Sequence, residues 1–321
     1  MSEKQMILPL LSTELREIFQ HVSEEIFNDL QEIRLRVQKP IVLNIKDEYY
    51  YFSESSELTR EQGQGMILNE KDLLHTLELI SDYSLYAFEE ELKQGYITVK
   101  GGHRVGIVGK TILDKGSVRT IRHISGMNIR IAHEVIDCAN LVMPFIKENE
   151  NSIYHTLIVS PPRCGKTTLL RDIIRQIADK LGINVGVVDE RSEIAGCYKG
   201  IPQKDIGLQT DVLDGCPKAE GMMMLLRSMG PQVIAVDEIG SEEDLHAIQH
   251  IIHAGIKLIC TVHGYSYEDI SRKPVLNRLL EDKIFERIIF LDNSRSVGTV
   301  TSIINEKGSE IFKKEGKYYV Y

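Results

Sequence analysis

Apolar residues recur at helical spacing across residues 8–37, where Leu15, Ile18, Phe19, Val22, Ile26 and Leu30 fall on one face, so this stretch predicts helix. The period then changes. Residues 40–45 and 49–52 are short β-rich runs separated by Lys46, Asp47 and Glu48, the pattern of a hairpin, and the polar stretch 53–64 reads as a loop. Residues 69–81 return to the helical period, with Leu73, Leu74, Leu77 and Ile80 inward and Asn69 as N-cap. Residues 95–99, 103–108 and 128–132 read as a small antiparallel sheet, the first two flanking Lys100-Gly101-Gly102.

From residue 150 onward strand and helix patterns alternate. Apolar strands are predicted at 156–159, 184–188, 233–236 and 257–262, and helices at 168–181, 219–229 and 242–253. Leu169, Leu170, Ile173, Ile174 and Ile177 share one face of the first of these helices. Such alternation implies a parallel α/β sheet that binds ligands at the carboxyl ends of its strands. Segments 297–304 and 310–321 read as hairpin-like strands around Gly308 and Gly316. The expected division is an α+β N-terminal domain, 1–149, and an α/β domain, 150–321.

Composition narrows the class. The 321 residues are 42% hydrophobic and 26% charged, an ordinary globular balance that excludes disordered and fibrous chains. A net charge of −9 argues against a general attraction to nucleic acid. Five scattered cysteines without a C-x-x-C pair fit a reducing compartment, so the cytoplasm is expected. No apolar run approaches the roughly 18 residues needed to cross a bilayer, so membrane association is expected through a partner.

The chemistry is concentrated at strand ends. Ser160-Pro161-Pro162-Arg163-Cys164-Gly165-Lys166-Thr167-Thr168 joins a predicted strand to a predicted helix, the context of a phosphate-binding P-loop. Backbone N–H groups and the helix dipole would hold phosphate oxygens, Lys166 would reach the terminal phosphates, and Thr167 would join a magnesium shell. Ser160 replaces the first glycine of G-x-x-x-x-G-K-[ST], and Arg163 stands where a further glycine would ease the turn. The run 233–238 is an apolar strand ending in Asp237 and Glu238, the Walker B pattern, with Asp237 expected at magnesium and Glu238 orienting or deprotonating water. The pair also suits a plain acidic helix start.

Three further features are weaker. Glu190, in Asp189-Glu190-Arg191-Ser192-Glu193, is a candidate second carboxylate for water, or part of a solvated loop. His263 ends another strand and is a candidate γ-phosphate sensor, or a surface histidine. Arg104 and Arg122, with Arg119 and Arg130, are candidates to stabilise a transferring phosphoryl group from another domain or subunit, or are solvated strand charges. His246, His250 and His253 share a helical face but lack a metal motif, so zinc is not expected.

The order of P-loop, acidic 188–196 run, Leu226-Arg227-Ser228-Met229-Gly230-Pro231-Gln232, Asp237-Glu238-Ile239-Gly240 and Thr261-Val262-His263-Gly264 resembles the secretion-type ATPases, and within them the stage III sporulation AA family. Asn128-Ile129-Arg130-Ile131-Ala132 adds to the likeness. The resemblance implies a RecA-like/AAA+ P-loop NTPase core using ATP and Mg2+, with Asp189-Glu190 and His263 as counterparts of an Asp box and a His box. It further implies a hexameric ring in the mother-cell cytoplasm, acting with membrane-embedded sporulation-channel proteins on a route to the forespore. A nucleotide-gated scaffold with little turnover and a RecA-like nucleic-acid translocase are the competing expectations.

Overall fold

The computed structural model describes residues 2–84, 88–294 and 296–313, which form two compact units, Met1–His133 and Glu134–Tyr321. The division falls ahead of the Asn149 boundary read from the sequence. Cys138, Ala139, Val142 and Ile146 pack into the core of the second unit, and the Ala139 N–H donates to Asp172 at 2.7 Å.

The first unit is built on a sheet of order β4-β3-β2-β1-β7-β6-β5. Its strands are β1 (Leu30–Arg36), β2 (Val42–Ile45), β3 (Glu48–Phe52), β4 (Leu58–Thr59), β5 (Tyr96–Val99), β6 (His103–Asp114) and β7 (Ser117–Arg130). The predicted hairpin is present: Ile45 pairs with Glu48, and Lys46 and Asp47 both take left-handed φ, near 51° and 64°. Two left-handed residues make the primed turn that matches strand twist. The helical reading of 8–37 runs too far. Helices span Thr13–Gln20 and Glu24–Asp29, after which Leu30, Ile33 and Leu35 are buried as one sheet face between β2 and β7. Apolar residues at this spacing satisfy either period until a pairing partner decides. The helix Glu70–Ile80 begins at Asn69, whose Oδ1 accepts the Asp72 N–H at 2.7 Å. Leu74 is exposed on it, while Asp72 and Thr76 turn inward and bond Ser12.

The second unit opens with a small ribbon, β8 (Lys147–Asn149) and β9 (Ser152–Ile153). Its main strands are β10 (Thr156–Ser160), β11 (Val185–Asp189), β12 (Thr210–Asp214), β13 (Val233–Val236), β14 (Lys257–His263), β15 (Arg287–Asp292), β16 (Thr299–Asn305) and β17 (Glu310–Lys313). They lie in the order β12-β11-β13-β14-β10-β15-β16-β17, parallel through β15 and antiparallel at β16 and β17. The part of the predicted tail strand beyond Lys313 lies outside the described residues. Alternation along β10 sends Ile158 to the helix Lys166–Leu181 and Leu157 and Val159 to the opposite face, where helices Lys218–Ser228, Glu242–His253 and Pro274–Glu281 pack. With helices on both faces, β10, β11, β13, β14 and β15 are buried nearly throughout and form continuous hydrophobic runs, whereas the edge strand β12 is only partly buried; β12 and β15 are strands the sequence reading does not include. His246, His250 and His253 lie on the exposed face of their helix, opposite buried Leu245, Ile248 and Ile251.

Candidate functional site

The P-loop strand β10 lies between β14 and β15, so its carboxyl end opens onto the middle of the sheet edge. The parallel register sets Ser160 beside His263, and Val236 beside Cys260. The carboxyl ends of β10, β13 and β14 thereby bring the loop 160–168, Asp237-Glu238 and His263 to one place.

The loop turns through two left-handed residues, Arg163 near φ 60° and Gly165 near 77°, and the helix starts at Lys166. For Arg163 that conformation costs about 1–2 kcal/mol. Gly165 has no substitute, since a Cβ there would meet the Gly298 Cα at 3.1 Å besides the unfavourable φ. Ser160 is wholly buried and its hydroxyl donates to the Pro161 carbonyl at 2.8 Å. Pro161 and Pro162 carry no N–H, so the loop's backbone donors begin at Arg163. In the first helical turn, the N–H groups of Lys166, Thr167 and Thr168 have no intrahelical acceptor. A run of free N–H groups at a dipole's positive end is an anion site. Cys164 points into the core instead, its thiol toward the Pro162 carbonyl at 3.5 Å.

Lys166 Nζ lies 2.9 Å from His263 Nδ1 and 3.5 Å from the Pro161 carbonyl. Burial pushes the Lys166 ammonium below its ordinary value, with Asp237 and Glu238 opposing that shift. Thr167 Oγ1 donates to Asp237 Oδ2 at 2.8 Å, and Thr261 Oγ1 donates to Asp237 Oδ1. Burial raises the Asp237 carboxyl despite those two hydrogen bonds. Glu238 has left-handed φ near 51°, and its N–H is held by Thr261 Oγ1 at 3.0 Å. Its carboxylate meets His263 Nε2 at 2.7 Å and Arg191 at 3.3 Å.

Asp189 and Glu190 behave differently from each other. Asp189 is buried and accepts the N–H groups of Glu193, Ile194 and Ala195 at 2.8, 2.9 and 2.8 Å, so it shapes the loop. Burial outweighs those bonds and raises its carboxyl. Glu190 is paired with Lys218 in a cleft that also holds Glu193, Asp237 and Glu238. Arg171, from the P-loop helix, clamps the same loop through the carbonyls of Ile194 at 2.5 Å and Glu193 at 2.7 Å. Arg104 and Arg122 belong to the first unit: Arg104 lies 4.6 Å above the Tyr96 ring, and exposed Arg122 pairs across a hairpin with Lys110.

Sequence reasoning missed Thr261, Arg171, Arg191 and Lys218. Only Thr261 left a signal, a hydroxyl within the otherwise apolar run 258–262. The others are charged residues whose partners come from other elements.

Oxygen donors at Thr167 and Asp237, a lysine beside them and free helix N–H groups suit a nucleotide's phosphates with a magnesium ion, a hard cation that takes few protein ligands. The fold has solved counterparts. The ATPase DotB of Legionella pneumophila aligns over 86% of this chain and 75% of its own, at 14% identity and a TM-score of 0.55. The pilus retraction motor PilT, solved with ADP, aligns over 83% and 76%, at 16% identity and a TM-score of 0.56. The fold is therefore the P-loop fold shared by the ATPase DotB and the pilus motor PilT, a RecA-like α/β core preceded by a smaller α+β unit.

The family described as "Sporulation stage III, protein AA" matches residues 1–311. Stage III sporulation protein AA of Bacillus subtilis (strain 168) is 40% identical over 314 residues, 97% of this chain and 98% of that protein. The chain belongs to the stage III sporulation protein AA family.

Proposed function

We propose that the second unit binds ATP with Mg2+ and hydrolyses it, and that the chain works as a ring-forming motor of the secretion-ATPase type during endospore formation. The observation that supports this most is the connected set Lys166, Thr167, Asp237, Glu238 and His263 at one sheet edge. Free N–H groups from Arg163 to Thr168 hold phosphate oxygens, and Lys166 leaves His263 for the terminal phosphate. Thr167 and Asp237 hold magnesium, which neutralises charge on the transferring group when bound. Glu238, oriented by His263 and by its bond to Thr261, positions the attacking water. Glu190 serves as a second carboxylate once Lys218 releases it, and Arg104 or Arg122 completes the site of a neighbouring copy. By the same resemblance the assembly is a hexamer in the mother-cell cytoplasm, joined to membrane-embedded channel proteins.

The test is magnesium-dependent ATP hydrolysis as a function of protein concentration, with Lys166→Ala and Glu238→Gln. Specific activity should rise with concentration and vanish in both variants, with nucleotide still bound by Glu238→Gln. Lys166-dependent binding without turnover at any concentration would replace the motor with a nucleotide-gated scaffold. Turnover that requires single-stranded nucleic acid would instead identify a translocase.

A further inference from the structure

The distal half of the β6–β7 hairpin has no core to pack against. From Val108 to His123 every residue is exposed or only partly covered, although the two strands stay paired from Lys110–Arg122 to Asp114–Ser117. The tip is a two-residue turn, Lys115 and Gly116, with φ near 48° and 84°. Between the Val108–Gly126 and Lys110–Arg122 pairs the register slips, with His123 left-handed in the inserted stretch. Such a bulge bends a strand and marks where the ribbon leaves the sheet. A lone two-stranded ribbon is marginal in water, so one this long calls for a surface.

Its chemistry identifies that surface. Residues directly opposite in a ladder share a face, so Leu113 and Val118 share one with Thr111 and Ile121, while Lys110 and Arg122 lie on the other. Leu113 and Val118 are 61% and 37% exposed. Charge is equally one-sided: residues 100–130 contain seven Lys or Arg (100, 104, 110, 115, 119, 122, 130) against one acid, Asp114, in a chain of net −9. On the sheet's outer face Arg130 lies opposite both Arg104 and Glu32, and Glu32 pairs with Arg130 at 3.7 Å and with Arg34 at 2.7 Å, so the three arginines outnumber the single acid there. No Phe, Tyr or Trp occurs between Tyr96 and Phe145, so the ribbon lacks the large aromatic side chains on which successive bases stack.

We infer that this ribbon is a docking element for an anionic phospholipid surface, with the Leu113–Val118 side entering the interface and Lys115 in the tip turn and Arg119 beside Val118 meeting headgroups. Apolar insertion combined with a cationic rim is how interfacial elements bind anionic leaflets. The contact is direct and needs no protein intermediary.

The chain contains no tryptophan, so Leu113→Trp introduces a single fluorescent reporter at an exposed position. Purified full-length protein is mixed with phosphatidylcholine vesicles, with and without phosphatidylglycerol, and read by flotation and emission wavelength. Anionic vesicles should float the protein and shift Leu113→Trp emission to the blue, and neutral vesicles should do neither. Lys115→Glu/Arg119→Glu should weaken flotation at least about tenfold, since a cation near such a surface contributes roughly fivefold. Unchanged thermal melting of that variant shows the fold is intact. Emission that does not shift, equal binding to neutral vesicles, or undiminished binding by the charge-reversed variant would overturn the inference. Salt-sensitive binding to single-stranded DNA without vesicle binding would overturn it too, and would reassign the ribbon.

Discussion

One imidazole joins the P-loop lysine to the carboxylate that ends the Asp237-Glu238 pair: His263 Nδ1 is 2.9 Å from Lys166 Nζ, and its Nε2 is 2.7 Å from Glu238 Oε1. An ammonium has no acceptor, so Nδ1 accepts from Lys166 and the Nε2–H donates to Glu238. A phosphate that draws Lys166 away therefore acts on the same ring that orients Glu238. His263 is tied to the strand end by Lys273, which donates to its carbonyl.

His263→Ala should consequently lower the hydrolysis rate at least about tenfold, because loss of orientation at a reacting group has costs of that order or more. Nucleotide affinity should change by less than about threefold, since Lys166 and the loop N–H groups are untouched. Fluorescent-nucleotide titration beside steady-state kinetics measures the two separately. A loss confined to affinity would make His263 a binding residue only.

Thr261 holds both acids, donating to Asp237 and accepting the Glu238 N–H at 3.0 Å while its own carbonyl accepts the Ile239 N–H at 3.0 Å. Thr261→Val keeps the shape and removes the hydroxyl. The orphaned Glu238 N–H should cost about 1–3 kcal/mol in urea melts. Half-maximal activity should require more magnesium, because Asp237 loses one of its two side-chain anchors. Thr261→Ser should restore both readouts.

Asp237 is a site where function opposes stability. Its folded carboxyl is raised by burial, so the native state holds its proton more tightly than the unfolded chain. Stability then falls as pH rises from the unfolded value through the raised folded one, and the cost is fully present above it. Asp237→Asn should raise Tm at neutral pH, lose that advantage in acid, and abolish magnesium-dependent turnover. Calorimetry across pH checks the sign, and an advantage that grows in acid would contradict it.

Asp172 should show the reverse dependence. Burial alone pushes its carboxyl up, but hydrogen bonds from Ala139, Arg175 and Gln176 outweigh it and hold the group below the ordinary range. It accepts the Ala139 N–H at 2.7 Å, Arg175 at 2.6 Å and Gln176 at 2.9 Å, fastening segment 137–139 to the P-loop helix. Its stabilisation is present above the unfolded value and is lost as pH falls through the depressed folded one. Asp172→Ala should destabilise by about 3 kcal/mol at neutral pH by leaving Arg175 without its buried partner. The difference from wild type should shrink in acid unfolding.

Strands β10, β11, β13 and β14 were legible because burial on both faces makes each a continuous apolar run, and the P-loop because Gly165, Lys166 and Thr167 carry their chemistry locally. Strand β12, half exposed at the sheet edge with Asp211 and Asp214 in it, gave no such run, and β15, though apolar, was not read as a strand. Residues 30–36 were misread because Leu30, Ile33 and Leu35 fit a helix face until β2 and β7 claim them. Leu74 was expected inward because apolarity was weighed without the Asp72–Ser12 bond that turns the helix.

By itself, then, the sequence determined the central strands and three flanking helices of the α/β unit and which residue types could bind phosphate and metal, since periodicity and short motifs depend only on neighbours along the chain. Tertiary structure alone decided that Ser160 stands beside His263, that Thr261 reaches both acids, that Asp189 shapes a loop and that Glu190 is held by Lys218. Strand order and register set those meetings. They arise from burying two helix layers against one sheet, an energy shared among many residues and written in no single one.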